Sequence, residues 1–235
     1  SSAILCLICG ILLLIFGFFG SRPLLRLLNT KPELLDKATL YMQIYFCGMP
    51  ALALYNFGNA VYSAIGNTKK PLYYLLFSGI VNVVLNLVFV IVCDLDVAGV
   101  ALASIISQYL SAIFLTAALF RSREIYSLSP KLLRLHRKNC REILTLGIPS
   151  GLQNAIFYVA NMFIQAGVNS FDTVMVAGNS AAANADGLVY DVMAAFYTAC
   201  SSFIGLNYGA GRRREIRRSY LICLGYSFGV GAILG

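Results

Sequence analysis

The sequence predicts an all-α fold, a polytopic bundle of transmembrane helices, on three observations. First, 59% of its 235 residues are hydrophobic and only 12% are charged, whereas a soluble domain carries about 25% charged residues. Too little polar surface remains to enclose a core of that size in water. Second, the charges are gathered into short stretches, leaving five windows without any: 1–21, 38–68, 71–93, 97–120 and 143–171. Each matches or exceeds the roughly 20 residues a helix needs to cross a bilayer. Third, these windows are continuous apolar runs rather than the short alternating segments of a β-barrel.

Seven spans follow in order. The five charge-free windows are spans one to five. Span six, 173–211, contains only Asp186 and Asp191 as charged residues, and span seven opens near Ser219 and is still apolar at Gly235. The first residue is not Met, and the first window lacks the basic flank of a signal peptide. The chain is therefore expected to be a piece of a longer protein.

The net charge of +8 is explained by topology rather than by a nucleic-acid partner. Connections two, four and six hold fourteen Lys and Arg, and connections one, three and five hold four. Connection four, 121–141, has seven, and connection six has five in Arg212–Arg218. Cytoplasmic connections collect Lys and Arg, so the even ones are expected in the cytoplasm. This excludes a seven-span receptor with an outside N-terminus, whose odd connections would face inward. Connection four is the longest polar interruption. It divides the chain into 1–121, with four spans, a linker 122–141, and 142–235, with three. Within it, KLLRLHRKNCREIL after Ser129-Pro130 is expected to form a short basic amphipathic helix on the membrane surface. His136 reads as an ordinary interfacial residue.

The spans are not plain anchors. Span two carries Gln43, Asn56, Asn59 and Pro50, and span three carries Asn82 and Asn86, one turn apart. Span five opens Gly147-Ile-Pro149-Ser-Gly151 and carries Asn154, Tyr158, Asn161 and Gln165 on one helical face. Such a stripe faces either other helices, through hydrogen bonds worth about 1 kcal/mol each, or a wet cavity. Span six is the most informative. An ionised Asp at mid-bilayer costs roughly 3 kcal/mol, so Asp186 and Asp191 are candidates to bind an ion or substrate. Five residues separate them, about 140° around a helix, so at most one faces a central cavity. Asp191 shares a face with Asn184, Thr198 and Ser202, and Asp186 with Tyr190, Met193 and Tyr197.

Other motifs fall away. Cys6-Leu-Ile-Cys9 has redox spacing but lies in a charge-free span with no acid or His nearby, so its cysteines read as packing residues. Gly209-Ala-Gly211 lacks the spacing of a phosphate loop and reads as a helix C-terminal break. With one His in the chain, no metal-ligand cluster is expected and no enzyme is indicated.

At this point GIPSGLQNAIFYVANMFIQAGVNSF, then an Ala-rich helix, then FIGLNYGAGRRREIRR resembles the first two helices of the C-terminal lobe of a MATE-family transporter (multidrug and toxic compound extrusion). Leu206 stands where the family usually has Gln. Upstream, YFCGMPALALYNFGNAVYSAIGNTKKPLYYLLFSGIVNVVLNLVFV and VAGVALASIISQYLSA resemble the family's fourth to sixth helices. The resemblance implies two six-helix lobes, of which this chain would hold helices three to nine with connection four as linker. It also implies a monomer in the cell membrane that exports amphipathic and cationic compounds in exchange for Na⁺ or H⁺, with no other cofactor. Alternating access about a midplane site is the physical logic. Phe157 stands where many members carry an acid, which puts coupling through that position in question and suits a drug-contacting surface. A lipid-linked oligosaccharide flippase of the related superfamily is the alternative; its cavity would be rich in cations, and these spans hold no Lys or Arg. On residue physics alone, a passive channel is the remaining reading.

Overall fold

In the computed structural model, residues 1–27, 30, 32–122, 124, 126–129, 133–168 and 171–234 are described. Among them the chain is helical with no strand: α1 Ser2–Leu27, α2 Pro32–Cys47, α3 Met49–Ala64, α4 Lys69–Leu87, α5 Asp96–Arg121, α6 Arg137–Val168, α7 Thr173–Gly209 and α8 Arg213–Leu234. A π-helical turn, Val88–Val92, continues α4. Five segments are long and apolar enough to cross a membrane: Ser2–Leu27, Lys69–Val92, Asp96–Arg121, Arg137–Gln165 and Val174–Gly209. The chain divides into two compact units, Ser1–Arg141 and Glu142–Gly235.

Three sequence expectations change. Span two is not one helix. It is α2 and α3, each 16 residues and thus about 24 Å long, which meet at Gly48. Pro50 has no N–H to give to the preceding turn, so the break falls where a proline starts a new helix. Tyr109 of α5 donates its hydroxyl to the Cys47 carbonyl at this break, 2.9 Å. Among the described residues no separate amphipathic helix precedes α6. Residues 130–132 lie outside the described residues, 133–136 have no regular structure, and Arg137 already begins α6. Residues 137–141 are therefore helical, while the division between the two units falls after Arg141. Finally, four of the five arginines after Gly211 lie inside α8.

In the first unit the two ends of the bundle are tied separately. Lys37, in the second turn of α2, meets Asp96, at the start of α5, at 2.6 Å. Connections one and three therefore share one end. At the other end the Ser1 hydroxyl donates to the Arg134 carbonyl, 2.9 Å, and accepts from the His136 N–H, 2.9 Å. There too lies the apolar core of Tyr62, Leu115 and Leu119, against which Tyr126 and Leu128 pack after α5. The Leu128 N–H donates to the Leu119 carbonyl at 3.2 Å. Connections two and four and the chain start therefore lie together, the arrangement that alternate crossing requires.

Close helix contact depends on small residues. A Cβ at Gly10 would lie 2.8 Å from the Pro50 Cα and 3.0 Å from the Met49 carbonyl oxygen, so α1 meets backbone at the α2–α3 break. A Cβ at Gly58 would lie 2.7 Å from Leu115 Cδ2.

In the second unit α7 and α8 form an antiparallel hairpin. Phe196 and Tyr226 stack at 6.2 Å with their planes 5° apart. The turn is closed by Gly211 at φ 71, a left-handed conformation that costs a side chain energy, and by the Arg212 N–H donating to the Asn207 carbonyl at 2.8 Å, a Schellman-type closure. At the other end of α7 the Asp172 carboxylate accepts from the Met175 N–H at 2.8 Å, an N-cap worth about 1 kcal/mol.

Candidate functional site

The candidate site residues lie on α6 and α7 of the second unit. α7 has 37 residues, about 55 Å, which exceeds the roughly 30 Å hydrocarbon thickness. Asp191 is its midpoint, and Asp186 lies about 7 Å nearer its start.

Contacts define the faces of α7. The Met193 sulfur lies 3.6 Å from where a Cβ on Gly231 of α8 would stand. Phe196 stacks on Tyr226, and Cys200 shares a small apolar cleft with Cys223 and Leu224. From Met193, Asp186 is displaced by about 20° around the helix and Asp191 by about 160°. Asp186 thus points to the α8 side of the helix, about 10 Å beyond the Met193 contact, and its side chain is exposed. Asp191 and Asn184 stand on the opposite side.

Phe157 of α6 stacks on Tyr190 of α7, with centroids 6.4 Å apart and planes 13° apart, and the Tyr158 ring meets Phe157 edge-on at 6.2 Å. The two helices are thereby joined one residue from Asp191. Asn154, Tyr158, Asn161 and Gln165 form the expected stripe on α6, centred about 70° from Phe157. Asn161 turns its amide back on its own helix, donating to the Phe157 carbonyl at 3.1 Å. The structure therefore brings together Phe157, Tyr158 and Tyr190, and it sets Asp186 and Asp191 on different faces. Both carboxylates are exposed, and among the described residues neither has a cationic partner; the ion pairs there are Arg22–Asp36 and Lys37–Asp96.

A second polar cluster occupies the interior of the first unit. The Asn86 amide donates to the Asn82 carbonyl and to Asn82 Oδ1, both at 3.1 Å, and the Asn82 amide donates to the Ser107 hydroxyl at 3.3 Å. Asn86 Oδ1 and Gln108 Oε1 are buried without a donor, a condition that costs about 1–3 kcal/mol per group. Sequence reasoning had marked Asn82 and Asn86 but missed Ser107 and Gln108. Their signal was the Ser104, Ser107, Ser111 spacing on one face of α5. Among the described residues no three His, Cys, Asp or Glu side chains gather as metal ligands.

Outside the charge-free windows, at one end of the bundle, the electrostatics centre on Lys37 and Asp96. The hydrogen bond from Lys37 and its charge hold the Asp96 carboxyl below its ordinary value, and Asp96 holds the Lys37 ammonium above its own.

The MatE family model matches residues 1–88 and 149–235. A "Probable multidrug resistance protein YpnP" of Bacillus subtilis is 32% identical over 200 residues, 85% of this chain and 44% of the relative. A "Probable multidrug resistance protein NorM" of Bacillus cereus is 25% identical over 230 residues, 94% of this chain and 50% of the relative. The chain thus spans about half the length of these curated relatives. Among solved structures, one described as the outward-facing conformation of a multidrug resistance MATE family transporter superposes with a TM-score of 0.87 at 23% identity, covering 97% of this chain and 51% of that one. A MOP superfamily transporter from Pyrococcus furiosus gives 0.88 at 23% identity, with the same coverage.

Proposed function

The chain belongs to the MatE family, a family of multi-pass membrane proteins, and from that premise we propose that it forms part of a secondary transporter that expels amphipathic organic cations from the cytoplasm in exchange for Na⁺ or H⁺. The observation that carries this reading is Asp191. It is a carboxylate at the midpoint of α7, on the face opposite the α8 contact, and no cation among the described residues neutralises it.

The mechanism follows from competition for that charge. A carboxylate in a low-dielectric crevice attracts one cation strongly, and a drug cation and a coupling ion cannot both occupy it. Exchange requires that the two facings of the site differ in their affinity for each. Asn184 supplies a neutral acceptor and donor on the same face as Asp191, two turns or about 10 Å away along α7. Phe157, Tyr158 and Tyr190 supply aromatic faces that hold a cation by its charge and a ring by its surface; such contacts tolerate many substrate shapes. Asn154, Asn161 and Gln165 line the α6 side. Asp186, on the α8 azimuth and exposed, is simply hydrated in this reading. A flippase for anionic lipid-linked sugars needs cations in its cavity, and the absence of Lys and Arg from residues 143–211 weighs against it.

The test is dye efflux from everted vesicles carrying the full-length protein, with a Na⁺ gradient and a pH gradient imposed separately. Export of a cationic dye driven by one of them supports the proposal and names the ion. Movement of a lipid-linked sugar without either gradient refutes it.

A further inference from the structure

A cleft in the first unit is not explained by transport. It lies between the start of α4 and the end of α5, has a volume of about 360 Å³, and is lined by Lys70, Tyr74, Phe114, Ala117, Arg121 and Ser122. Lys70 and Arg121 stand 51 positions apart in sequence, yet they converge on it from two helices. Neither forms an ion pair among the described residues, where the pairs are Arg22–Asp36 and Lys37–Asp96. Glu124, the acid that follows Arg121 in the described chain, pairs with neither. The Lys70 ammonium is instead poised over the Tyr62 ring, 5.7 Å from its centroid. The topological charge bias needs cations anywhere in a connection; it does not need two of them to share one cleft.

We propose that this cleft binds the phosphate of an anionic phospholipid headgroup in the leaflet at this end of the bundle. Two cations and the Ser122 hydroxyl are the donor set that a phosphate oxygen cluster requires. The same chemistry would be offered by free phosphate, but the rest of the cleft is apolar. Tyr74 lies 5.9 Å and Phe77 5.7 Å from the Phe114 ring, centroid to centroid. Phe77, and further along α4 and α5 Ile80 and Ile113, are exposed apolar side chains. This is a path for acyl chains leading away from a charged mouth. A soluble anion gains nothing from it, whereas a lipid gains both contacts at once. A cleft of this volume is at the lower end of the range for small-molecule sites, large enough for a headgroup.

The experiment is native mass spectrometry of the full-length protein in detergent with equal amounts of phosphatidylglycerol and phosphatidylcholine. The wild type is expected to retain phosphatidylglycerol preferentially. Lys70→Gln and Arg121→Gln each weaken that preference about five-fold, and the double variant about thirty-fold, taking each cation at its usual membrane-surface contribution. Lys70→Arg keeps it, and soluble glycerol phosphate does not displace the lipid. Each single variant is read beside its melting temperature in phosphatidylcholine, so that loss of fold is not counted as loss of binding. Equal retention of both lipids, full retention by the single variants, or displacement by glycerol phosphate overturns the proposal.

Discussion

Replacing Asp191 with Asn keeps the size of the side chain and removes only its charge. At about 4 Å and an effective dielectric near 20, a carboxylate and a cation attract by about 4 kcal/mol. Desolvating the pair offsets part of this, leaving about 2 kcal/mol, in line with a charge-assisted hydrogen bond. The apparent affinity for a cationic dye is therefore expected to fall roughly thirty-fold. Asp186→Asn is expected to change it by less than about three-fold, because Asp186 lies about 20° from the Met193 contact with α8 rather than opposite it. Initial efflux rates from everted vesicles over a range of dye concentrations, at matched expression, give both numbers. An uncharged amphiphile serves as control and should be little affected by Asp191→Asn. If Asp186→Asn proves the more damaging, or if Asp191→Asn transports like wild type, the assignment of faces on α7 is wrong.

Other outcomes follow from single contacts. Phe157→Ala removes the stack on Tyr190, worth about 0.5–1.5 kcal/mol beyond its area, and should weaken binding of aromatic dyes several-fold more than that of aliphatic cations in the same vesicles. Gly10→Val puts a side chain against backbone at Pro50 and Met49, which cannot retreat as a flexible side chain would; a loss of about 1–3 kcal/mol should appear as a lower melting temperature in detergent. The Lys37–Asp96 pair has a depressed carboxyl and a raised ammonium. Its contribution is complete between the ordinary Asp and Lys values and fades as pH drops through the lowered Asp96 value or climbs through the raised Lys37 value. Melting curves of wild type and Asp96→Asn should accordingly differ near neutrality and merge in acid. In a variant retaining only Cys93, a membrane-impermeant maleimide should label intact cells; in one retaining only Cys140, it should not.

The helical class was legible because charge-free windows of that length have few other physical solutions. The polar stripe on α6 was legible because its residues recur at helical spacing. The α2–α3 break was marked by Pro50 but not placed, since a proline inside a span either bends a helix or restarts it, and packing decides. Here Gly10 brings α1 so close to Pro50 that the restart is accommodated. Helix α6 ran further back than expected. Charge density argued for a surface element at 131–144, while Arg, Lys and Leu are all good helix formers that extend α6 from Arg137. The separation of Asp186 from Asp191 followed from spacing alone. Which of them faces α8 did not, because that depends on the contacts of Met193, Phe196 and Cys200. Ser107 and Gln108 were missed because small polar residues in a span give little signal until a partner helix is set beside them.

The arginines that open α8 stand at the positive end of its dipole, an unfavourable place for cations, directly after the tight Gly211 turn. Local helix energetics do not favour them there, and an effect on membrane insertion is the physical alternative. α6 and α7 are the least apolar of the candidate spans, and α7 bears two carboxylates, so it partitions poorly from the insertion machinery as a solitary segment. A block of guanidinium groups set three residues past the end of α7 would resist translocation and keep that end on the ribosome's side. The reluctant segment would then enter lipid paired with α8, as a hairpin whose orientation in the bilayer is decided before any tertiary contact forms.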